Sequence, residues 1–183
     1  RRGMVGCVPL YKIAGAAARA GKSLEEVTAI AQSFADNMAS LAVAASGATN
    51  PATGMEIAQV AAGCMEVGVG LHGEKGNAKP LQTAEATVTL MLDALLEDLN
   101  VLPEEKLLVL VSGSGATTLM EQLIIFRNCY AYLAEKNIEI VASHVGELMT
   151  VQEMAGFEIC IARMNEELLK YWNAPCYTKK KKK

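Results

Sequence analysis

Five consecutive apolar residues, Leu107 to Val111, constrain the fold more than any other stretch of the chain. Side chains alternate between the two sides of a strand, so an unbroken apolar run makes a strand only where both faces are covered. The run passes through Ser112-Gly113-Ser114-Gly115-Ala116-Thr117 into a segment that Thr118 and Glu121 can cap. Leu123, Ile124, Arg127 and Leu133 then continue it at helical spacing. A covered strand feeding a capped helix is a unit of an α/β layer fold.

Other segments repeat this grammar. Pro9 falls just before an alanine-rich helix over Leu10 to Ala20, where proline is tolerated only in the first turn, and Gly21 stops it. Ser23-Leu24-Glu25-Glu26 is a capping box, and Leu24, Val27, Ile30, Phe34, Met38 and Leu41 share one helical face behind it. From Ser46 to Gly63 the pattern dissolves into a long connection or lid. Met65 to His72 alternates as a strand, and Leu90, Met91, Leu95, Leu96 and Leu99 mark a helix. Ile138 to Val145 reads as a strand, Thr150 with Glu153 as the cap of a single turn, and Phe157, Ile159 and Ile161 as a further strand. A short helix over Glu166 to Trp172 closes the pattern. No repeat or linker divides it, so residues 1–178 are expected to form one α/β domain, with a lysine tail over 179–183.

Charge and cysteine usage narrow the function. Setting aside the five terminal lysines leaves 12 basic residues against 20 acidic, a net of −8, which repels nucleic acid. The five cysteines contain no CxxC pair, and their odd number precludes complete internal bridging. No apolar run approaches the roughly 18 residues needed to span a bilayer, and no signal-peptide stretch opens the chain, so a cytoplasmic protein without membrane contact is expected. The chain starts Arg1-Arg2-Gly3 without an initiator methionine, as a piece of a longer polypeptide would.

The segment Gly68-Val69-Gly70-Leu71-His72-Gly73-Glu74-Lys75-Gly76 is the most unusual in the chain. Glycine weakens a strand, and its repeated use often marks a close approach to the backbone. With Gly68 and Gly70 on the same strand face, His72 would look over a shelf with room for a small molecule. A neutral imidazole, with an ordinary pKa of about 6.5, is a nucleophile that can add to an electrophilic carbonyl. On spacing alone the plainer reading is preferred, in which the glycines form a turn and His72 is a polar residue at a strand end. His144 reads as a structural histidine, and the two histidines with Glu74 lack zinc-type ligand spacing. The Gly113 to Thr118 turn could bind an anion at a helix N-terminus, but it lacks the ending of a phosphate loop and fits a tight packing turn equally well.

Taken in order, Arg1-Arg2-Gly3, Lys12 through Ala18, GVGLHGEKG, Met91 through Asp98, Val111 through Leu119, Met149 through Gly156 and Trp172-Asn173-Ala174-Pro175 resemble the second half of the dihydroxyacetone kinase K domain. The histidine segment and the WNAP ending are its specific marks, and the resemblance runs from Arg1 to about Thr178. It implies a mixed β-sheet layered with helices, the second subdomain of that K domain. It also implies a cytoplasmic homodimer that holds dihydroxyacetone as a hemiaminal on His72, with Gly70 and Gly73 as substrate contacts. The family's acid–base histidine and aspartate belong to the N-terminal half of the K domain, and ATP or ADP with Mg belongs to a separate L domain or subunit. The piece alone is therefore expected to bind no cofactor and to be inactive. K-like paralogues that sense dihydroxyacetone and act as transcriptional coactivators share the histidine. Two departures stand out: Lys75 occupies a position where many members carry proline, and Pro9 is unusual for the first helix.

Overall fold

A computed structural model describes residues 3–70 and 74–176. In chain order the first elements are α1 (Cys7–Arg19), α2 (Leu24–Asp36), β1 (Met38–Ala44), β2 (Ala48–Thr49) and β3 (Glu56–Ile57). They are followed by β4 (Cys64–Val67), β5 (Asn77–Pro80), α3 (Ala84–Leu99) and β6 (Lys106–Gly113). The last are α4 (Leu119–Glu135), β7 (Glu139–Val145), β8 (Gly156–Arg163) and α5 (Glu166–Asn173). Six strands form one sheet in the order β5-β4-β1-β8-β6-β7, while β2 and β3 pair as a separate hairpin. Within the large sheet only β6 and β7 run parallel, and α4 makes the crossover between them.

The apolar run behaves as its composition demands. In β6 every residue from Leu107 to Gly113 is buried. Leu107, Val109 and Val111 pack with Val88, Met91 and Leu95 of α3 and with Ile125 and Cys129 of α4. Leu108 and Leu110 pack on the opposite face with Ile13 and Ala17 of α1, Phe34 of α2 and Tyr171 of α5. Helices thus cover both sides of a mixed sheet, the α/β layering expected from sequence. The capping boxes at Ser23/Glu26 and Thr118/Glu121 both form, and Thr83 and Asn165 cap α3 and α5. Arg163 ends β8 by donating to Glu105 Oε2 at 2.6 Å and to the carbonyls of Leu99 and Asn100 at the C-terminus of α3.

Three boundaries differ from expectation. The helical stripe was expected to run on through Met38 and Leu41, yet α2 ends at Asp36 and both residues belong to β1. Seven register pairs with β8 draw this segment into the sheet, and tertiary pairing outweighs a helical spacing that continues by coincidence. In α1, Pro9 is the third helical residue rather than the residue before the helix, and with Ile13 and Ala17 it makes the buried stripe. The expected strand from Met65 to His72 stops at Val67, because Gly68 takes a φ of +85° that leads the chain out of the sheet. Leu71, His72 and Gly73 lie outside the described residues.

The core sets the reactivity of the thiols. Burial pushes the Cys129 thiol up to about 12 and raises that of Cys160 strongly, whereas Cys176 is exposed and Cys7 and Cys64 are half-buried. Thiolate is the reactive form. A maleimide titration of the native protein is expected to label Cys176 first, and Cys129 and Cys160 only after denaturation. Mass mapping that finds Cys129 or Cys160 among the early sites would contradict this packing.

Candidate functional site

At one end of the sheet, on the face that carries α1, lies a cavity of about 370 Å³. Its floor comes from adjacent strands: Ala42 of β1, Glu66 of β4 and Glu158 of β8. Ser114, just after β6, and Met4, just before α1, close two sides. The chain between Ser46 and Gly63, expected as a long connection, folds back through the β2–β3 hairpin and adds Ile57, Ala58 and Gln59 to the wall.

The loop after β4 supplies the remaining side. Gly70 donates its backbone N–H to the carbonyl of Glu74 at 3.0 Å, and Gly76 donates to Glu66 Oε2 at 3.1 Å. A Cβ on Gly76 would stand 2.6 Å from the carbonyl oxygen of Val67, so glycine is the residue that lets this loop close against β4. Val69, Gly70, Glu74 and Lys75 all line the cavity. Gly70, a predicted substrate contact, is therefore at the cavity, and the two residues that bracket 71–73 border it from both sides. The predicted nucleophile His72 and the predicted contact Gly73 belong to that triplet, outside the described residues. The shelf is a pinned loop rather than the strand face first expected.

Glu158 is the group that sequence reasoning missed. It is only 1% exposed, and its Oε2 accepts hydrogen bonds from the backbone N–H groups of Met4 at 2.7 Å and Val5 at 2.8 Å. Burial pushes its carboxyl above the ordinary carboxylate range, against the opposing pull of these two amides. The chain comes close here, since a Cβ on Gly3 would lie 2.8 Å from Ser40 Oγ. One signal was available: Glu158 is the single charged residue between the apolar neighbours Phe157 and Ile159.

Other sequence candidates fall elsewhere. His144 is exposed on β7, the far edge strand, and does not line this cavity. The Gly113 to Thr118 turn is occupied by folding: Ser114 N–H donates to Gly156 O, Ala116 N–H to Met154 O, and Thr118 N–H to Glu121 Oε2. With a carboxylate at the N-terminus of α4, the turn serves packing rather than anion binding. Thr150 and Glu153 do not pair as a cap, because Glu153 bonds to Thr49 instead. Among the described residues no three His, Cys, Asp or Glu side chains gather as a metal would require. No helix among them is long and apolar enough to cross a membrane.

Comparison with known proteins points to one family. The Dak1 domain profile matches residues 1–180. The chain is 34% identical over 179 residues to a Listeria innocua protein named PTS-dependent dihydroxyacetone kinase 2, dihydroxyacetone-binding subunit DhaK, covering 97% of this chain and 54% of that protein. Among solved structures it is similar to the dihydroxyacetone kinase operon co-activator Dha-DhaQ, with a TM-score of 0.88 and 26% identity over 94% of this chain and 54% of that one. It is also similar to the dihydroxyacetone kinase of C. freundii in its native form, with a TM-score of 0.75 and 30% identity over 92% of this chain and 31% of that one. The chain spans about half or less of the length of the relatives it matches.

The raised carboxyl of Glu158 has a measurable consequence. An unfolded glutamate titrates near 4.5, so above that pH the folded state keeps a proton that the unfolded state has lost. The associated stability is full below the unfolded value and is lost as pH rises through the folded one. In Glu158→Gln this component disappears, because the amide does not titrate. Denaturant midpoints measured from about pH 4.5 upward are expected to fall less steeply in the variant than in the wild type. Parallel slopes would show that Glu158 titrates as an ordinary glutamate.

Proposed function

The chain belongs to the Dak1 domain family, and from that premise we propose that it is the ketone-holding part of a kinase that converts dihydroxyacetone to dihydroxyacetone phosphate. Residues 1–178 act as one α/β domain, the second half of a K domain, with 179–183 as a tail. The observation that carries this reading is the position of Gly70 and Glu74, which border one cavity from either side of the triplet containing His72.

In this reading the imidazole of His72 attacks the substrate carbonyl. A nitrogen lone pair forms the N–C bond, the carbonyl π pair moves to oxygen, and the proton released from the ring ends on that oxygen. The product is a neutral hemiaminal with both primary hydroxyls intact. Glycerol, which has no carbonyl, cannot be captured this way. Holding the ketone by a covalent bond removes its translational freedom and presents one hydroxyl to the phosphoryl donor. Gly70 and Gly73 are the substrate contacts in this reading. The acid–base groups come from the N-terminal half of the K domain, and the nucleotide with magnesium sits on a separate L domain or subunit. The intact protein works as a cytoplasmic homodimer.

A second reading is a dihydroxyacetone-sensing coactivator, favoured by the TM-score of 0.88 to a co-activator against 0.75 to a kinase. Both readings use His72, and they part at phosphoryl transfer. One experiment separates them: the intact subunit is combined with its L partner and a phosphoryl donor, and dihydroxyacetone phosphate is measured for the wild type and His72→Ala. The kinase reading expects a rate loss of at least about 100-fold in the variant, together with loss of the substrate's mass in native mass spectrometry. Equal rates would remove the role of His72, and mass gain without turnover would favour the sensor.

A further inference from the structure

A glutamate that is 1% exposed in a strand of apolar neighbours has an unusual cost, because removal of a carboxyl from water is unfavourable unless its oxygens are satisfied. Among the described residues, two backbone amides donate to Glu158. The Met4 and Val5 amides both fall on Oε2, whereas a carboxyl offers two oxygens and about four acceptor positions. The amides therefore use only a portion of its hydrogen-bonding capacity. The same residue lines the cavity bordered by Gly70 and Glu74.

Its surroundings favour contact with a ligand. The positions beside Glu158 in register, Ala42 on β1 and Ser112 on β6, carry small side chains. Much of the rest of the cavity wall is apolar, including Ile57, Val69, Val151 and Met154. A small polar molecule entering there meets few hydrogen-bonding partners on the sheet floor, and Glu158 is one of them.

We propose that Glu158 contacts the ligand as a specificity-determining residue, hydrogen bonding one hydroxyl of a small hydroxylated ketone while its Oε2 clamps the turn before α1. This rests on the ketone-binding reading above and extends it to the part of the substrate that does not react with His72. A ketone with hydroxyls on both sides of the carbonyl leaves one for phosphorylation and one for recognition. A site built around a hydrogen bond discriminates strongly against an analogue that lacks the matching group, since the site's own polar group is then left unpaired.

The test compares dihydroxyacetone with hydroxyacetone, which lacks one hydroxyl, on the intact protein. Calorimetry gives the two affinities and native mass spectrometry reports covalent adduct. The wild type is expected to prefer dihydroxyacetone. In Glu158→Ala the ratio of the two affinities falls by about 10- to 100-fold. Glu158→Gln, which retains an oxygen for the Met4 and Val5 amides and so preserves the fold, is expected to give an intermediate ratio. A wild type that binds both ketones alike overturns the inference. So does an unchanged ratio in the folded variants, or in Glu158→Gln alone where Glu158→Ala does not fold, because Glu158 is then only a clamp. Discrimination by Glu158 without any adduct would instead reject covalent capture by His72 and leave the role of Glu158 standing. Adduct without Glu158-dependent selectivity would do the reverse.

Discussion

Strand β8 is the constraint on which the rest of the structure depends. It is hydrogen bonded on both sides, antiparallel to β1 through seven pairs and to β6 through seven more. Its side chains are buried on both faces, with Ile159 and Ile161 in the α3–α4 core and Cys160 and Ala162 in the α1–α2–α5 core. Because both ladders share this strand, a slip of one residue would turn both cores out together. Its ends are tied by different chemistry. Arg163 draws in the C-terminus of α3 and Glu105, while Glu158 holds the turn that leads into α1.

That asymmetry locates the site. The Arg163 end of the strand is filled by ion-pair and carbonyl contacts, but at the Glu158 end the chain leaves the sheet repeatedly. Gly68 turns out of β4, Ser114 departs from β6, and the β2–β3 hairpin rises after β1. Each departure leaves one wall of the cavity. The site is thus a product of where strands stop, and the glycines matter by ending β4 and closing its loop rather than by clearing a strand face.

Much of the fold was legible because its signals are local. The unbroken run in β6 demanded two covered faces, and the two capping boxes marked helix starts through hydrogen bonds between residues three apart. The errors arose where distant partners decide. Met38 and Leu41 fit a helical stripe, and only β8, more than a hundred residues away, makes them strand. Val69 continues an alternation that the positive φ of Gly68 has already ended. Glu158 was hidden for the same reason: its partners are the amides of Met4 and Val5, at a separation of more than 150 residues. The density of glycine marked the loop around Gly70, but the cavity that this loop borders was not legible, since its walls come from six separate stretches of chain.

The charge on those walls bears on the chemistry the site can host. Glu66, Glu74 and Glu158 line the cavity with Lys75 as the cationic neighbour, and the N-terminus of α4 is already met by Glu121. Among the described wall residues carboxyl groups outnumber cations, which favours a neutral polyhydroxy ligand over an anionic one. The covalent capture proposed above would suit such a site, because it grips a neutral molecule without needing a counter-charge.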